Sequence, residues 1–407
     1  MTARSIAVII PSLSHGGAER VASTLVNEWA WRPGIEVHLV TFSGLHDFHA
    51  LDPRVRRVNM PLPPGPGPLA LVTLAWRIRR HLSRQKVAAV LSFMDKYNVF
   101  ILLALAGSGI RVSVSDRSNP LRRRPAWLNA LKRLTYPRAT AVIAQTAQAA
   151  KEIARIAGPS RVTVIPNPLV LPAGPAGAFE DRERLVLNIG RLVEEKGQIY
   201  LIRAFARARM PGWRLVILGE GPLRSVLEAE TASFGVRDRI DLPGVISDLD
   251  PWYARASIFA FPSVSEGYPN ALVEAMARGL PCISSDCDAG PREILTHGAD
   301  GILVPPGDEG ALADALEELA ADGAMRRRLG AKGGARVMAL SAEEISDRYL
   351  QTCLGTADAG PGNGEGERAQ ADLPRAGVKS SIPGGASSAQ RLSHVFLDPN
   401  APPGWAQ

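Results

Sequence analysis

Acidic side chains are scarce in the first 170 positions, where 8 Asp+Glu stand against 23 Lys+Arg, a net charge of +15. The chain totals of 40 and 47 leave 32 and 24 for the remainder, a net of −8. A basic first half joined to an acidic second half is a signal about partners, with a nucleic acid or the anionic face of a membrane as candidates. Cysteine is scarcer still. Cys282, Cys287 and Cys353 show no paired metal-ligand spacing, which argues against a disulfide scaffold and for a reducing compartment. The seven histidines form no i, i+4 pair, so neither a structural metal nor a cofactor is expected. Long apolar runs are missing too. "VFILLALAGSGI" (99–110) is too short for a bilayer, and the run after Arg4 stops at Pro11, too soon for a secretory signal. The expectation is a cytoplasmic protein, with the inner face of the cell membrane as the place its basic half would work.

What is present is an alternation. "SIAVIIP" (5–11), "IEVHLVTF" (35–42), "VAAVLSF" (87–93), "IRVSVS" (110–115), "ATAVIAQ" (139–145) and "RVTVIPN" (161–167) read as strands. Helical spacing lies between them, as at Val21, Leu25 and Trp29. Parallel strands with crossover helices follow. The alternation breaks at 171–184, rich in Pro, Gly and charge, and restarts with "LVLNIG" (185–190), "WRLVILG" (213–219), "ASIFAFPS" (256–263), "LPCISSD" (280–286) and "GILVPP" (301–306). The expected organisation is an amino-terminal α/β domain (1–170), a linker (171–184) and a second α/β domain (185–340). A helix at 341–354 would pack back on the first domain, and 355–407 reads as a disordered tail. Two doubly wound units leave a cleft between the carboxyl ends of their strands, where ligands of such sheets bind.

Four motifs fall at strand-to-helix junctions. "PSLSHGGAER" (11–20) places Gly16 and Gly17 where a ligand could approach backbone amides, although a tight turn explains the glycines as well. "NIGRLVEEKGQ" (188–198) puts Arg191 and Lys196 after Gly190, two fixed cations that suit a diphosphate; a solvated surface pair is the plain alternative. "LGEGPLR" (218–224) repeats the glycine turn with Gly219 and Gly221. "SEGYPNALVEAMARG" (265–279) sets Glu266 before a helix and Glu274 inside it, with Pro269 and Asn270 able to open that helix and Gly279 to close it.

In order and spacing these motifs resemble the family 4 retaining glycosyltransferases of the GT-B fold, over roughly residues 5–350. The features that carry the resemblance are Gly16-Gly17, Gly190-Arg191 with Lys196, Gly219-Glu220-Gly221-Pro222, and the E-x7-E pair Glu266 and Glu274 within "FPSVSEGYPNALVEAMARGLP" (261–281). "GILVPPGD" (301–308) also fits. The resemblance implies two Rossmann-like domains facing a central cleft and a metal-independent transfer of a hexose or N-acetylhexosamine from a nucleotide sugar, a UDP-sugar first. It implies that Arg191 and Lys196 hold the diphosphate, helped by the Gly16-Gly17 amides. Glu274 would accept from ribose hydroxyls and Glu266 from hydroxyls of the transferred sugar. Gly267, Tyr268, Pro269 and Asn270 would line the sugar and distal phosphate, with Gly190 and Gly219 in the donor loops. Arg191, Lys196 and Glu266 form the expected catalytic set.

Asp116, Arg117 and Asn119, in "SVSDRSNP" (113–120), resemble a Ser-Glu-Arg-Asn-like segment of members that assemble bacterial surface polysaccharide, with Asp in place of Glu. They are candidates for the acceptor or sugar side; capping a loop is the other reading. Many family members carry a histidine in this region, and it is absent here. Asp248-Leu249-Asp250 and Asp286-Cys287-Asp288 spell D-x-D, but each sits in a motif that reads better otherwise, and neither is taken as a metal site. The stretch 117–138 interleaves Arg and Lys with Trp127, Leu128, Leu131, Leu134 and Tyr136. That pattern suits contact with an anionic membrane and a lipid-linked saccharide acceptor; a helix packed on its domain fits it too. Nucleic acid is not expected, because no recognised module accompanies the charge. A nucleotide-sugar epimerase or a non-catalytic sugar-nucleotide or membrane-binding module would use the same architecture.

Overall fold

The computed structural model describes residues 4–14, 16–43, 48–62, 67–117, 125–170, 179–288 and 290–355. Asn119, most of the expected linker and all but the first residue of the expected tail lie outside them. Seven parallel strands form a first sheet: β1 (Arg4–Ile9), β2 (Ile35–Thr41), β3 (Arg56–Asn59), β4 (Val87–Phe93), β5 (Arg111–Ser115), β6 (Val142–Ala144) and β7 (Val162–Val164). Its crossover helices are α1 (Gly17–Ala30), α2 (Pro68–Arg84), α3 (Asp95–Ala104), α4 (Ala126–Thr135) and α5 (Ala147–Ala157). The second sheet holds β8 (Leu185–Ile189), β9 (Arg214–Leu218), β10 (Ile240–Gly244), β11 (Ile258–Phe261), β12 (Cys282–Ser285) and β13 (Ile302–Val304). With it go α6 (Gln198–Arg207), α7 (Arg224–Ser233), α8 (Asp250–Arg255), α9 (Asn270–Ala277), α10 (Pro291–Ile294), α11 (Glu309–Ala321) and α12 (Gly323–Val337).

Strand order is β3-β2-β1-β4-β5-β6-β7 in the first sheet and β10-β9-β8-β11-β12-β13 in the second. The two are the same doubly wound order, with β8 in the place of β1, so each has its switch point beside that strand. The continuous apolar runs follow from burial on both faces. In β1, Ile6 and Val8 pack under α1 with Leu25 and Trp29, while Ala7 and Ile9 face Leu74 and Ile78 of α2. In the second sheet Leu215 and Ile217 meet Leu201 and Phe205 of α6, while Val216 and Leu218 share a core with Leu272 and Val273 of α9.

The last helix, α13 (Ala342–Leu354), belongs to the first core. Ile345 and Tyr349 are fully buried among β1 and α1 residues, and the Trp29 indole N–H donates to the Ser346 carbonyl at 2.9 Å. Where the chain passes between sheets, Leu169 N–H donates to Leu340 O at 2.7 Å, so the outgoing and returning segments run side by side.

At the ends of β8 and β9 the glycines serve the protein's own packing. A Cβ on Gly219 would overlap the Gly190 carbonyl, and one on Gly221 the Leu192 backbone. Gly219 also has φ 146°, outside the range L-residues favour. Gly219→Ala is therefore expected to destabilise the protein by about 1–3 kcal/mol, read as a lower urea midpoint. An unchanged midpoint would show that β8 and β9 can part there without cost.

Candidate active site

The carboxyl ends of the two sheets meet. β1 feeds the loop holding Gly16 and Gly17, β5 ends beside Asp116 and Arg117, and β7 leads to Asn167. Opposite them, β8 ends at Gly190 and Arg191, β9 at Gly219, and β11 runs into Glu266 and α9. Contact across the divide is direct: a Cβ on Gly17 would stand 2.8 Å from Asn270 Nδ2. A pocket lined by Arg20, Asn167, Tyr268, Asn270 and Glu274 lies at this divide.

Glu266 and Glu274 are each buried and each held by a cation. Lys196 Nζ lies 2.6 Å from Glu266 Oε1, and the Glu266 side chain is 7% exposed. Lys196 closes a short 3-10 turn (Glu194–Lys196), and Gly197 at φ 64° then starts α6. The ammonium also stands 5.4 Å from the Phe261 ring centroid. Arg191, in the same loop, is exposed. Glu274, also 7% exposed, takes Arg20 Nη1 on Oε1 at 2.7 Å and the Tyr253 hydroxyl on Oε2 at 3.1 Å. Burial and the neighbouring Glu274 charge push the Tyr253 phenol well above its usual range, so it stays a donor.

A polar chain links the halves beside these carboxylates. Arg117 Nη2 donates to Asn167 Oδ1 at 2.9 Å and to the Tyr349 hydroxyl at 3.1 Å. Gln145 reaches the same Asn167 oxygen at 2.8 Å, and Asn167 Nδ2 donates to Asn270 Oδ1 at 2.6 Å. Asn270 thus spans the cleft with its side chain, while its own N–H donates to Tyr268 O at 3.1 Å. Further along, Glu293 of α10 accepts from the N–H groups of Ala147 (2.7 Å) and Gln148 (3.1 Å), occupying the positive end of α5 with a carboxylate from the opposite sheet.

Asp116 sits differently from its neighbour Arg117. Its carboxylate turns into the first domain, 3% exposed, and accepts from Lys132 Nζ at 2.5 Å and the Tyr136 hydroxyl at 3.0 Å. Lys132 is therefore an internal group and no part of a membrane-facing charge. Glu19 is buried behind the glycine loop; burial raises its pKa, opposed by Ser14 and by the charges of Arg117 and Arg191. A Cβ on Gly16 would overlap the Glu19 carboxylate. Of the D-x-D acids, Asp250 binds Arg278 (Nε at 3.0 Å), and Asp286 binds Arg292 (2.8 and 2.6 Å).

Residues 15–171 match the model described as Glycosyltransferase Family 4, and residues 183–322 match that of Glycosyl transferases group 1. The chain is a family 4 glycosyltransferase. Among curated relatives of this glycosyltransferase is the Campylobacter jejuni GalNAc-α-(1→4)-GalNAc-α-(1→3)-diNAcBac-PP-undecaprenol α-1,4-N-acetyl-D-galactosaminyltransferase. It is 27% identical over 361 residues, 85% of this chain and 97% of that one. An exopolysaccharide phosphotransferase of Streptomyces coelicolor is 39% identical over 179 residues, 42% of this chain but 18% of that protein. Among solved structures, Anabaena HepE in complex with UDP and glucose superposes with a TM-score of 0.72 at 18% identity, over 86% of this chain and 99% of HepE. The facing doubly wound sheets are the GT-B fold that the resemblance implied.

The glycosyltransferase motifs are thus brought to one cleft, with Asp116 turned away and Asn119 outside the described residues. Arg20, Asn167, Tyr253 and Glu293 were not singled out in the sequence. Arg20 stands three residues after Gly17, and that position on the helix leaving the glycine loop was the available signal. Asn167 and Glu293 carry no spacing signature, because what makes them matter is the opposite sheet.

Proposed function

We propose that this glycosyltransferase moves a hexose or N-acetylhexosamine from a nucleotide sugar, a UDP-sugar first, to a growing lipid-linked glycan of a bacterial surface polysaccharide. Transfer would proceed with retention, without a metal, at the cytoplasmic face of the membrane. The observation that carries this reading is the pair of buried carboxylates, Glu266 and Glu274, each within 2.7 Å of a cation where the sheets face each other. Two carboxylates and a cationic loop match a donor that has hydroxyls at both ends and a diphosphate between. Support for the substrates comes from the relatives: the Campylobacter enzyme's name carries an undecaprenyl diphosphate glycan, and HepE holds UDP and glucose.

In this reading Arg191 and Lys196 oppose the charge that builds on the leaving diphosphate, with the Gly16-Gly17 amides opposite and Gly190 and Gly219 shaping the loops. Glu274 accepts from the ribose. Glu266 accepts from the transferred sugar and orients Lys196, while Gly267, Tyr268, Pro269 and Asn270 form its wall. The acceptor attacks on the face the diphosphate leaves, and Glu266 binds the sugar without forming a bond to it. Arg117, tied to Asn167, lies on the acceptor side. Charge is supplied by side chains, and Asp250 and Asp286 are engaged by arginines.

The test is thermal stabilisation across UDP-, GDP- and ADP-sugars, then product analysis with a lipid-linked acceptor. A nucleotide at about 100 times its Kd contributes about 2.7 kcal/mol, and Glu274→Ala, binding about 10-fold more weakly, should cut that to about 1.4 kcal/mol or less. If no nucleotide raises the Tm, the site assignment fails. An epimerised donor formed without acceptor would favour the epimerase reading instead.

The membrane contact is best placed on α2. Leu69 (79% exposed), Val72 (66%) and Trp76 (56%) line its outer face, opposite the buried Leu74, Ile78 and Leu82. Arg80 and Arg84 continue that face, and the helix contains no acidic residue. None of the described helices is long and apolar enough to cross a membrane; the contact proposed for α2 is with the membrane surface. Trp76→Asp should lower co-sedimentation with phosphatidylglycerol vesicles by about 10-fold; wild-type sedimentation of that variant would remove α2 from the contact.

A further inference from the structure

Glu274 is anchored from both sheets. Tyr253 of α8 holds one oxygen from its own domain, and Arg20 of α1 reaches the other from across the cleft at 2.7 Å. An ionised carboxylate has about four acceptor positions, two on each oxygen. Each oxygen of Glu274 therefore keeps a position beyond the one occupied, and two anchors fix the plane of the group. A vicinal diol presents two hydroxyls at a spacing that suits such a fixed pair.

We propose that Arg20 is a positioning residue for the donor's ribose: it completes, from the amino-terminal domain, the carboxylate that reads the sugar of the nucleotide. This rests on the reading of Glu274 as the ribose acceptor. Three features support it. Burying a carboxylate is costly unless it is paired, and the Glu274 side chain is 7% exposed. Arg20 is one turn into the helix opened by Gly16 and Gly17, so one loop-helix unit would serve both the diphosphate and the ribose. The Arg20 side chain is 33% exposed, so the contact lies at the cleft and not within a sealed core. The ribose site then has its full geometry when the two sheet ends are together, which couples donor affinity to closure.

A plain interdomain tether would hold the halves together regardless of what the nucleotide carries, and a thermodynamic cycle separates the two roles. Titration calorimetry is run with UDP and with 2′,3′-dideoxy-UDP, or with the guanosine pair if the thermal panel selects it. Wild type should bind UDP at least about 10-fold more tightly than the dideoxy compound. In Arg20→Ala that preference should fall to within about 2-fold, through weaker UDP binding and unchanged dideoxy binding. Arg20→Lys, which retains charge but not reach, should restore part of the preference, and it carries the comparison if Arg20→Ala does not fold.

Equal weakening of both nucleotides, or an intact preference, overturns the role of Arg20. Tighter UDP binding would also overturn it, by showing that Arg20 blocks the site. Glu274→Ala keeps the parent reading separate. If that variant retains the preference for UDP, Glu274 does not read the ribose; if it loses the preference while Arg20→Ala keeps it, only the role of Arg20 is wrong.

Discussion

Lys196→Ala is expected to lower kcat for sugar transfer by about 10²–10³-fold, the usual effect of removing one preorganised donor that opposes transition-state charge. Donor KM should change much less. Arg191, in the same loop, still attracts the ground-state diphosphate, whereas the charge of Lys196 matters most as the glycosidic bond opens. Geometry adds a second loss. Lys196 Nζ is 2.6 Å from Glu266 Oε1, so the variant leaves a carboxylate 7% exposed without its cation. A buried carboxylate that has lost its partner is costly to hold in place, and its displacement would disturb the sugar it would hold. Lys196→Arg should recover little, since the bulkier, planar guanidinium does not fit where a compact ammonium lies 2.6 Å from Glu266 Oε1. Steady-state kinetics on the purified full chain separate kcat from KM. A Lys196→Ala enzyme within 10-fold of wild-type kcat would move the charge-stabilising role elsewhere, with Arg191 the next to test.

The sequence predicted the central strands and one edge strand of each sheet, β7 and β13, and missed the strands at the opposite edges, β3 and β10. β1, β4, β8 and β9 are mostly apolar and rich in Val, Ile and Leu, because both faces of a central parallel strand meet helices. β3 reads Arg-Arg-Val-Asn and β10 Ile-Asp-Leu-Pro-Gly, and each is the last strand on its side of a sheet. With one neighbour and a partly wet face, neither needs an apolar run. Pro243 fits β10 at the break in register between Asp241 and Gly244. The site divides in the same manner. Glu266, Glu274, Arg191 and Lys196 stand at spacings set by a single sheet, and a linear motif records them. The Arg20–Glu274 and Asn167–Asn270 contacts pair residues from opposite sheets, so no local spacing announces them. Gly219 and Gly221 were legible as glycines that allow close approach, but what approaches is the chain itself, at Gly190 and Leu192.

Lys132→Met is expected to cost about 3–5 kcal/mol of stability, because it removes the ammonium that pairs with a buried carboxylate. Asp116 is 3% exposed and Lys132 6%, with 2.5 Å between them. The Tyr136 hydroxyl, 3.0 Å from the same oxygen, donates one hydrogen bond but no charge. Burial and Asp116 together push that phenol well above its ordinary range, so it remains protonated and cannot take over the role of Lys132. The pair itself need not stabilise. Its desolvation offsets much of its attraction, and the joint change Asp116→Asn with Lys132→Met should regain most of the loss. Urea unfolding of the two single variants and the double variant measures this coupling. Full additivity would show that the two side chains do not depend on each other. The same proteins decide what Asp116 does for transfer. If it only holds α4 against β5, the double variant recovers activity with stability. If the carboxylate also serves the acceptor, stability returns and activity does not.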